Sequence, residues 1–141
     1  MAGYRFLDHM TDAVVEAHGA TLEEAFEQAA MGLVDTMVDI AGVRPGNEVS
    51  IEAEGHDPES LLFDWLDKVM LLLVADGFAT SKFYVKIQEQ QSNYLLKGTA
   101  RGEKLDLSRH HYKVEIKAVT YHEMSVRRQE GRTTLRFLLD L

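Results

Sequence analysis

Within Asp8-His9-Met10-Thr11-Asp12 the chain sets two carboxyls, an imidazole and a hydroxyl side by side, between two short apolar runs. Residues of these types can hold a cation through oxygen or supply a general base. They can also simply turn the chain, with Asp and Thr side chains bonded to the backbone. A second oxygen cluster stands where the sequence closes Phe137-Leu138-Leu139-Asp140-Leu141. There the Asp140 carboxyl falls beside the α-carboxylate of Leu141, and its plainest use is an ion pair with Arg136 or a lysine. His110 and His111 are neighbours, and neighbouring side chains point apart in an extended chain, so a surface pair is preferred to a metal pair. Lys117 falls on the more polar side of its segment, where a lysine ordinarily stays in water. Asp64, Asp67 and Lys68 gather on one face of a helical stretch and read as its wet side. No glycine-rich phosphate loop, Gly-x-Ser-x-Gly turn or cysteine nucleophile is present.

These residues need elements to position them. Residues 4–7 and 13–17 alternate as short strands, the first with Tyr4 and Phe6 on one side. Thr21-Leu22-Glu23-Glu24 is a capping box, with Thr21 accepting from the backbone at Glu24 and Glu24 reaching back. Apolar residues then recur at helical spacing, and this helix is expected to end near Asp39, ahead of the Arg44-Pro45-Gly46-Asn47 turn. Val49, Ile51 and Ala53 alternate with Ser50, Glu52 and Glu54 in a half-buried strand. Asp57 as N-cap and Pro58 at the first helical position open a second helix, which buries Leu61, Leu62, Trp65, Leu66, Val69, Leu72 and Leu73. Three strands are expected between this helix and a terminal hairpin. The first turns Phe83, Val85 and Ile87 one way, residues 94–101 form the next, Gly102-Glu103-Lys104 turns the chain, and residues 105–112 connect. Residues 113–118 read as a strand with Val114, Ile116 and Ala118 on its core face and Lys117 opposite. Arg127-Arg128-Gln129-Glu130-Gly131 reads as a polar turn. The last strand puts Leu135, Phe137 and Leu139 on one face and Arg136, Leu138 and Asp140 on the other. An end this apolar is expected to be tied down.

At 141 residues the chain is read as one domain spanning 1–141. Two long helices among alternating strands give the α+β class, as a two-layer sandwich with both helices packed on one face of a mainly antiparallel sheet. The net charge of -8 argues against direct binding to a nucleic-acid backbone, though not against work in an RNA pathway through a protein partner. Without cysteine there is no disulfide framework and no thiolate metal site. The longest apolar run, residues 69–75, is too short to cross a bilayer, and no basic-plus-apolar leader is visible, so a cytoplasmic protein with no membrane partner is expected.

Phe6-Leu7-Asp8-His9-Met10-Thr11-Asp12, Gly19-Ala20-Thr21-Leu22-Glu23-Glu24-Ala25-Phe26, Leu61-Leu62-Phe63-Asp64-Trp65-Leu66, Lys117-Ala118-Val119-Thr120-Tyr121-His122 and the closing Asp140-Leu141 together resemble the archease family. The likeness runs from near the first residue to the last, and the Lys117–His122 hexamer and Asp140 are its most specific parts. Two positions depart from the family pattern. Archeases more usually read Asp-His-Thr-Ala-Asp where this chain has Asp8-His9-Met10-Thr11-Asp12, a change that keeps the acidic residues. Many carry a Glu in the second helix where Lys68 stands, a change that removes an acidic donor from that face.

The resemblance implies a non-enzymatic, chaperone-like cofactor protein that activates the RtcB-type tRNA-splicing ligase. Such proteins promote the guanylylation and repeated turnover of that ligase in tRNA splicing and RNA repair. The resemblance also implies a metal site on Asp12, Asp140 and the terminal residue Leu141, and an activation-critical lysine at Lys117. Whether Asp8, His9 or Asp64 join that site stays open. Hard oxygen donors of this kind suit calcium first and magnesium second, not zinc. Asp12 is expected at the end of the first strand and Asp140 at the end of the last, so pairing of terminal strands would join them. A divalent cation would then offset the repulsion of like charges. Two other classes are weighed against this one. One is a metal-dependent hydrolase using Asp12 or His9 as general base; the other is a small-molecule-binding regulatory domain.

Overall fold

The computed structural model describes residues 2–7 and 12–141. Strands β1 (Gly3–Leu7) and β2 (Asp12–Gly19) lead into α1 (Leu22–Met37), a short 3-10 turn (Ile40–Gly42), β3 (Asn47–Gly55) and α2 (Pro58–Val74). Then come β4 (Phe78–Gln90), β5 (Asn93–Lys104), β6 (Ala118–Gln129) and β7 (Arg132–Asp140). Neighbouring strands pair antiparallel and both helices pack on them, so the α+β class read from the sequence holds. The strands divide between two sheets, in the orders β1-β2-β7-β6 and β3-β5-β4. α1 packs against β2 and β4, and α2 against β3 and β6, so each helix touches both sheets. Arg128 of β6 adds a second tie, gripping Glu89 of β4 through two hydrogen bonds of 2.9 and 3.1 Å. Among the described residues no helix is long and apolar enough to cross a membrane.

Both helices begin where their side chains satisfy the free N–H groups of a first turn. Thr21 Oγ1 accepts the Glu24 N–H at 3.1 Å. The return arm goes one residue further back than a capping box requires, from the Glu24 carboxylate to the Ala20 N–H at 3.0 Å. α2 has the full box: Asp57 accepts the Ser60 N–H at 2.7 Å and Ser60 Oγ accepts the Asp57 N–H at 3.1 Å. Between the helices lies Trp65, fully buried, whose indole N–H donates to the Phe26 carbonyl at 3.0 Å. Its ring meets Phe83 of β4 edge-on at 5.7 Å. One residue therefore joins α1, α2 and the three-stranded sheet, with its polar atom satisfied.

The region after α2 differs from the sequence reading. β4 and β5 form one long hairpin, and Gly102, Glu103 and Lys104 continue β5 instead of turning, so two strands and not three precede the terminal hairpin. Residues 113–117 form no strand. The Lys113 N–H donates to the Met37 carbonyl at 2.7 Å, its ammonium reaches the Asp35 carbonyl at 2.8 Å, and Tyr112 bridges to Val38. Backbone groups spent on the end of α1 are not available to a sheet ladder. Ile116 is nonetheless buried and Lys117 exposed, while Val119, which alternation placed beside Lys117, is buried. Arg127, Arg128 and Gln129 stay paired with β7, and the turn is confined to Glu130-Gly131, where Gly131 supplies a φ of 73°.

Gly98 on β5 lies under Trp65: a Cβ there would stand 2.9 Å from two atoms of the indole ring. Gly98→Ala is expected to destabilise the fold by about 1–3 kcal/mol through overpacking. An unchanged urea midpoint would show that Trp65 has room to shift.

Candidate functional site

Asp12 opens β2, not the end of β1 as the sequence suggested, and it pairs directly with Asp140, the last residue of β7. Residues opposite one another in an antiparallel pair project to the same face with Cβ atoms about 4.5–5.5 Å apart. Ala118, the first residue of β6, flanks Asp140 on its other side. Just before it, the Lys117 N–H donates to the Asp140 carbonyl at 2.8 Å. Asp12, Lys117, Asp140 and Leu141 thus gather at one end of the four-stranded sheet.

Alternation along β7 decides which way this end faces. Leu135, Phe137 and Leu139 are fully buried, so Asp140 projects outward and is exposed. Leu141 is half-buried, with its side chain packed on the core, which holds the backbone beside Asp140. Among the described residues neither Asp140 nor Lys117 has an ion-pair partner. Arg136, the plain partner for Asp140, instead lies 3.6 Å from Glu16, which also holds Arg5 at 2.8 Å. Asp64 belongs elsewhere: it accepts the Glu54 N–H on β3 at 2.9 Å and pairs with Lys68 at 3.1 Å. Asp8 and His9 lie outside the described residues. Among the described residues no group of three or more His, Cys, Asp or Glu side chains is placed to hold a metal. A cation at this end would need Asp12, Asp140 and a further oxygen such as the α-carboxylate at Leu141. That all-oxygen set fits a hard divalent ion.

Next to this end, Tyr121 stacks on Phe63 of α2 with ring centroids 4.2 Å apart and planes within 3°, and still stays more than half exposed. The ladder shifts register between Thr120 and Ser125, Glu123 takes a φ of 61°, and Thr120 Oγ1 accepts the His122 N–H at 2.8 Å. A bulge on this edge strand turns Tyr121, His122 and Glu123 outward. The sequence held one trace of it, the run of polar residues that interrupts apolar alternation after Val119.

His110 is neither a surface residue nor a metal ligand. It is fully buried, and its Nδ1 accepts the Asp106 N–H at 3.0 Å. The ring proton therefore sits on Nε2, which donates to Glu103 Oε2 at 2.8 Å. Both nitrogens are used, and a metal would find no lone pair. Glu103 also takes the Arg44 N–H at 2.9 Å and pairs with Arg109. Arg109 first, then Arg44 and His110, bring the Glu103 carboxyl down to about 2. The network pins residues 105–112 against the end of β5.

Residues 4–141 match the model of the Archease protein family (MTH1598/TM1083). The archease of Pyrococcus furiosus is 37% identical over 142 residues, all of both chains, and that of Methanopyrus kandleri 39% identical over 135 residues, 96% of each. The solution structure of protein 1598 from Methanobacterium thermoautotrophicum superposes with a TM-score of 0.83 at 39% identity, covering 99% of each chain. The fold is shared with a Thermotoga maritima archease described as a possible chaperone, with a TM-score of 0.59 at 19% identity over 96% of this chain and 94% of that one.

Glu103 sets a pH dependence. Its carboxyl lies lower in the fold than its ordinary 4.5, so it adds stability above that value and loses the contribution as pH falls towards about 2. Glu103→Gln should melt below the parent at neutral pH, with the gap closing as the pH drops through this window. A gap that stays constant in circular-dichroism melts would show that the charge of Glu103 does not hold the connection.

Proposed function

The chain belongs to the archease family, and from that premise we propose that it is a non-catalytic, metal-binding protein that activates an RtcB-type tRNA-splicing ligase in the cytoplasm. The observation that carries the reading is the register of β2 on β7, which sets Asp12 opposite Asp140 beside Lys117. Asp12, Asp140 and the α-carboxylate at Leu141 are the proposed ligands of a divalent cation, calcium first and magnesium second. When bound, the ion supplies positive charge that offsets the cross-strand repulsion of the two carboxylates and can engage phosphate oxygens. The chain's own residues do the rest. Lys117 presents an ammonium without an ion-pair partner among the described residues, suited to an anionic nucleotide held by the ligase. Its backbone bond to Asp140 fixes where that side chain leaves the main chain. The stacked Phe63 and Tyr121 stiffen the neighbouring bulge.

The test is guanylylation of the cognate ligase with and without the protein. The protein alone is expected to transfer no nucleotide, and to raise both ligase guanylylation and multiple-turnover RNA ligation. Equal rates with and without it would sink the reading, and nucleotide or phosphoester turnover by the protein alone would favour the hydrolase. Lys117→Ala should fold and bind cation normally yet activate poorly, since its side chain is exposed and lies outside the ladder.

The metal is tested separately by thermal melts. Calcium at about a hundred times its dissociation constant should stabilise the parent by about 2.7 kcal/mol. Asp12→Asn, Asp140→Asn and a peptide extension after Leu141 should each lose most of that gain. If the extended chain responds to calcium as the parent does, the α-carboxylate at Leu141 is not a ligand.

A further inference from the structure

The outward face of the three-stranded sheet carries a second constellation, remote in sequence from Asp12 and Asp140 and independent of their role. On β4, Lys82, Tyr84 and Lys86 alternate outward between buried Phe83 and Val85. Across the ladder their partners on β5 are Arg101, Thr99 and Lys97, so Lys86 stands directly opposite Lys97. Tyr84 is 54% exposed at the centre of this array. A shallow depression of about 430 Å³ beside it is lined in part by Ser50, Glu52, Tyr84, Lys86, Lys97 and Thr99.

Two features mark this face as built for an anion. The chain has 23 acidic residues against 15 lysines and arginines, and most of its arginines are in ion pairs. Yet none of Lys82, Lys86 and Lys97 has an ion-pair partner among the described residues. Like charges directly opposite in a ladder destabilise it, so Lys86 against Lys97 is a cost the fold carries, offset in part by Glu52, which stands opposite Lys97 on β3. Secondly, the lysines bracket an exposed aromatic ring: Lys82 and Lys86 lie roughly 13 Å apart along the strand with Tyr84 between them. A sheet face, an exposed ring and flanking cations are the combination that takes a stacked base with phosphates on either side. An acidic peptide would use the lysines but leave the ring without a matching partner.

We propose that the β4–β5 face binds single-stranded polynucleotide, with Tyr84 stacking a base and Lys82, Lys86 and Lys97 contacting phosphates. The net charge of -8 does not prevent this. At physiological salt the screening length is about 8 Å, so a strand on this face feels the nearby lysines far more than carboxylates on the opposite side. Glu48, Glu52 and Glu54 of β3 border the face and keep the strand on β4 and β5.

The experiment is fluorescence anisotropy of a labelled, mixed-sequence single-stranded RNA of roughly ten nucleotides, titrated with the full chain at several salt concentrations. Binding is expected with a log–log salt slope of about -2, as three phosphate contacts give on a single strand. Lys86→Glu with Lys97→Glu should weaken it at least about tenfold and flatten the slope. Tyr84→Ala should weaken it about tenfold with the slope kept, because stacking carries no charge. Glu52→Gln should tighten it. Far-UV circular dichroism and melting temperature check that these surface variants fold. Absence of binding at about 50 mM salt overturns the proposal. So does equal binding by the lysine variant, or indifference to Tyr84→Ala together with equal competition by polyglutamate, which would make this a surface for acidic protein. Guanylylation of the ligase is measured on the same variants. It should be unchanged, so loss of RNA binding and loss of activation are read separately.

Discussion

The register of β2 against β7 is the constraint on which the candidate site depends, and the core sets it. Ala13 faces Leu139, Val15 faces Phe137 and Ala17 faces Leu135, and these rows turn towards α1, with Leu135, Phe137 and Leu139 wholly buried. Sliding β7 by one residue would turn its three large side chains to the outward face. At about 1.5–3 kcal/mol for each large apolar side chain, that costs roughly 5–9 kcal/mol, comparable with the whole stability of a small domain. The opposition of Asp12 and Asp140 works against the same register by about 1 kcal/mol or less. The apolar rows win, and two carboxylates are held in line by forces that have nothing to do with them.

The helix layer completes the same division of labour. α1 and α2 each touch both sheets, so the inward faces of all the packed strands are spent on one core around Trp65, Phe26 and Phe83. What remains for function is the outward faces and the strand ends. Period-two alternation then places Asp140 on one outward face and Tyr84 on the other. Neither residue needed its own packing solution, because each shares a strand with buried neighbours.

Much of this was legible because it is local. The caps at Thr21 and Asp57, the apolar stripe of α2 and the alternation of β3 and β7 are written within a few residues of where they act, and all formed. Asp12, Lys117 and Asp140 could be nominated from residue type and family resemblance, and the structure brings them to one sheet end. Their pairing needed β2, β6 and β7 in register, which no single segment specifies. Residues 113–117 misled for the opposite reason: the alternation of Val114, Ile116 and Ala118 is real, but Lys113 spends its backbone N–H on Met37, far away in sequence. His110 misled because its partners include Glu103, which the sequence reading had put in a turn. A histidine's environment is set by tertiary contacts, and vicinal spacing said nothing of them.

Charge shows the same limit at the scale of the surface. A net charge of -8 is a sum, and a sum is the quantity a distant ligand feels. A ligand in contact feels only what lies within a screening length of about 8 Å. Sorting the sequence by strand face splits the sum. β3 sends Glu48, Glu52 and Glu54 outward, while β4 and β5 send out Lys82, Lys86, Lys97 and Arg101. Among the described residues, only Arg101 of these four cations has an ion-pair partner, Glu48 at 3.0 Å. The four-stranded sheet instead ends in Asp12 and Asp140. The three-stranded sheet therefore separates an acidic strand from a basic pair, although the chain as a whole is acidic. That separation follows from strand register, since a one-residue slip of β4 would bury Lys82 and Lys86 and expose Phe83 and Val85.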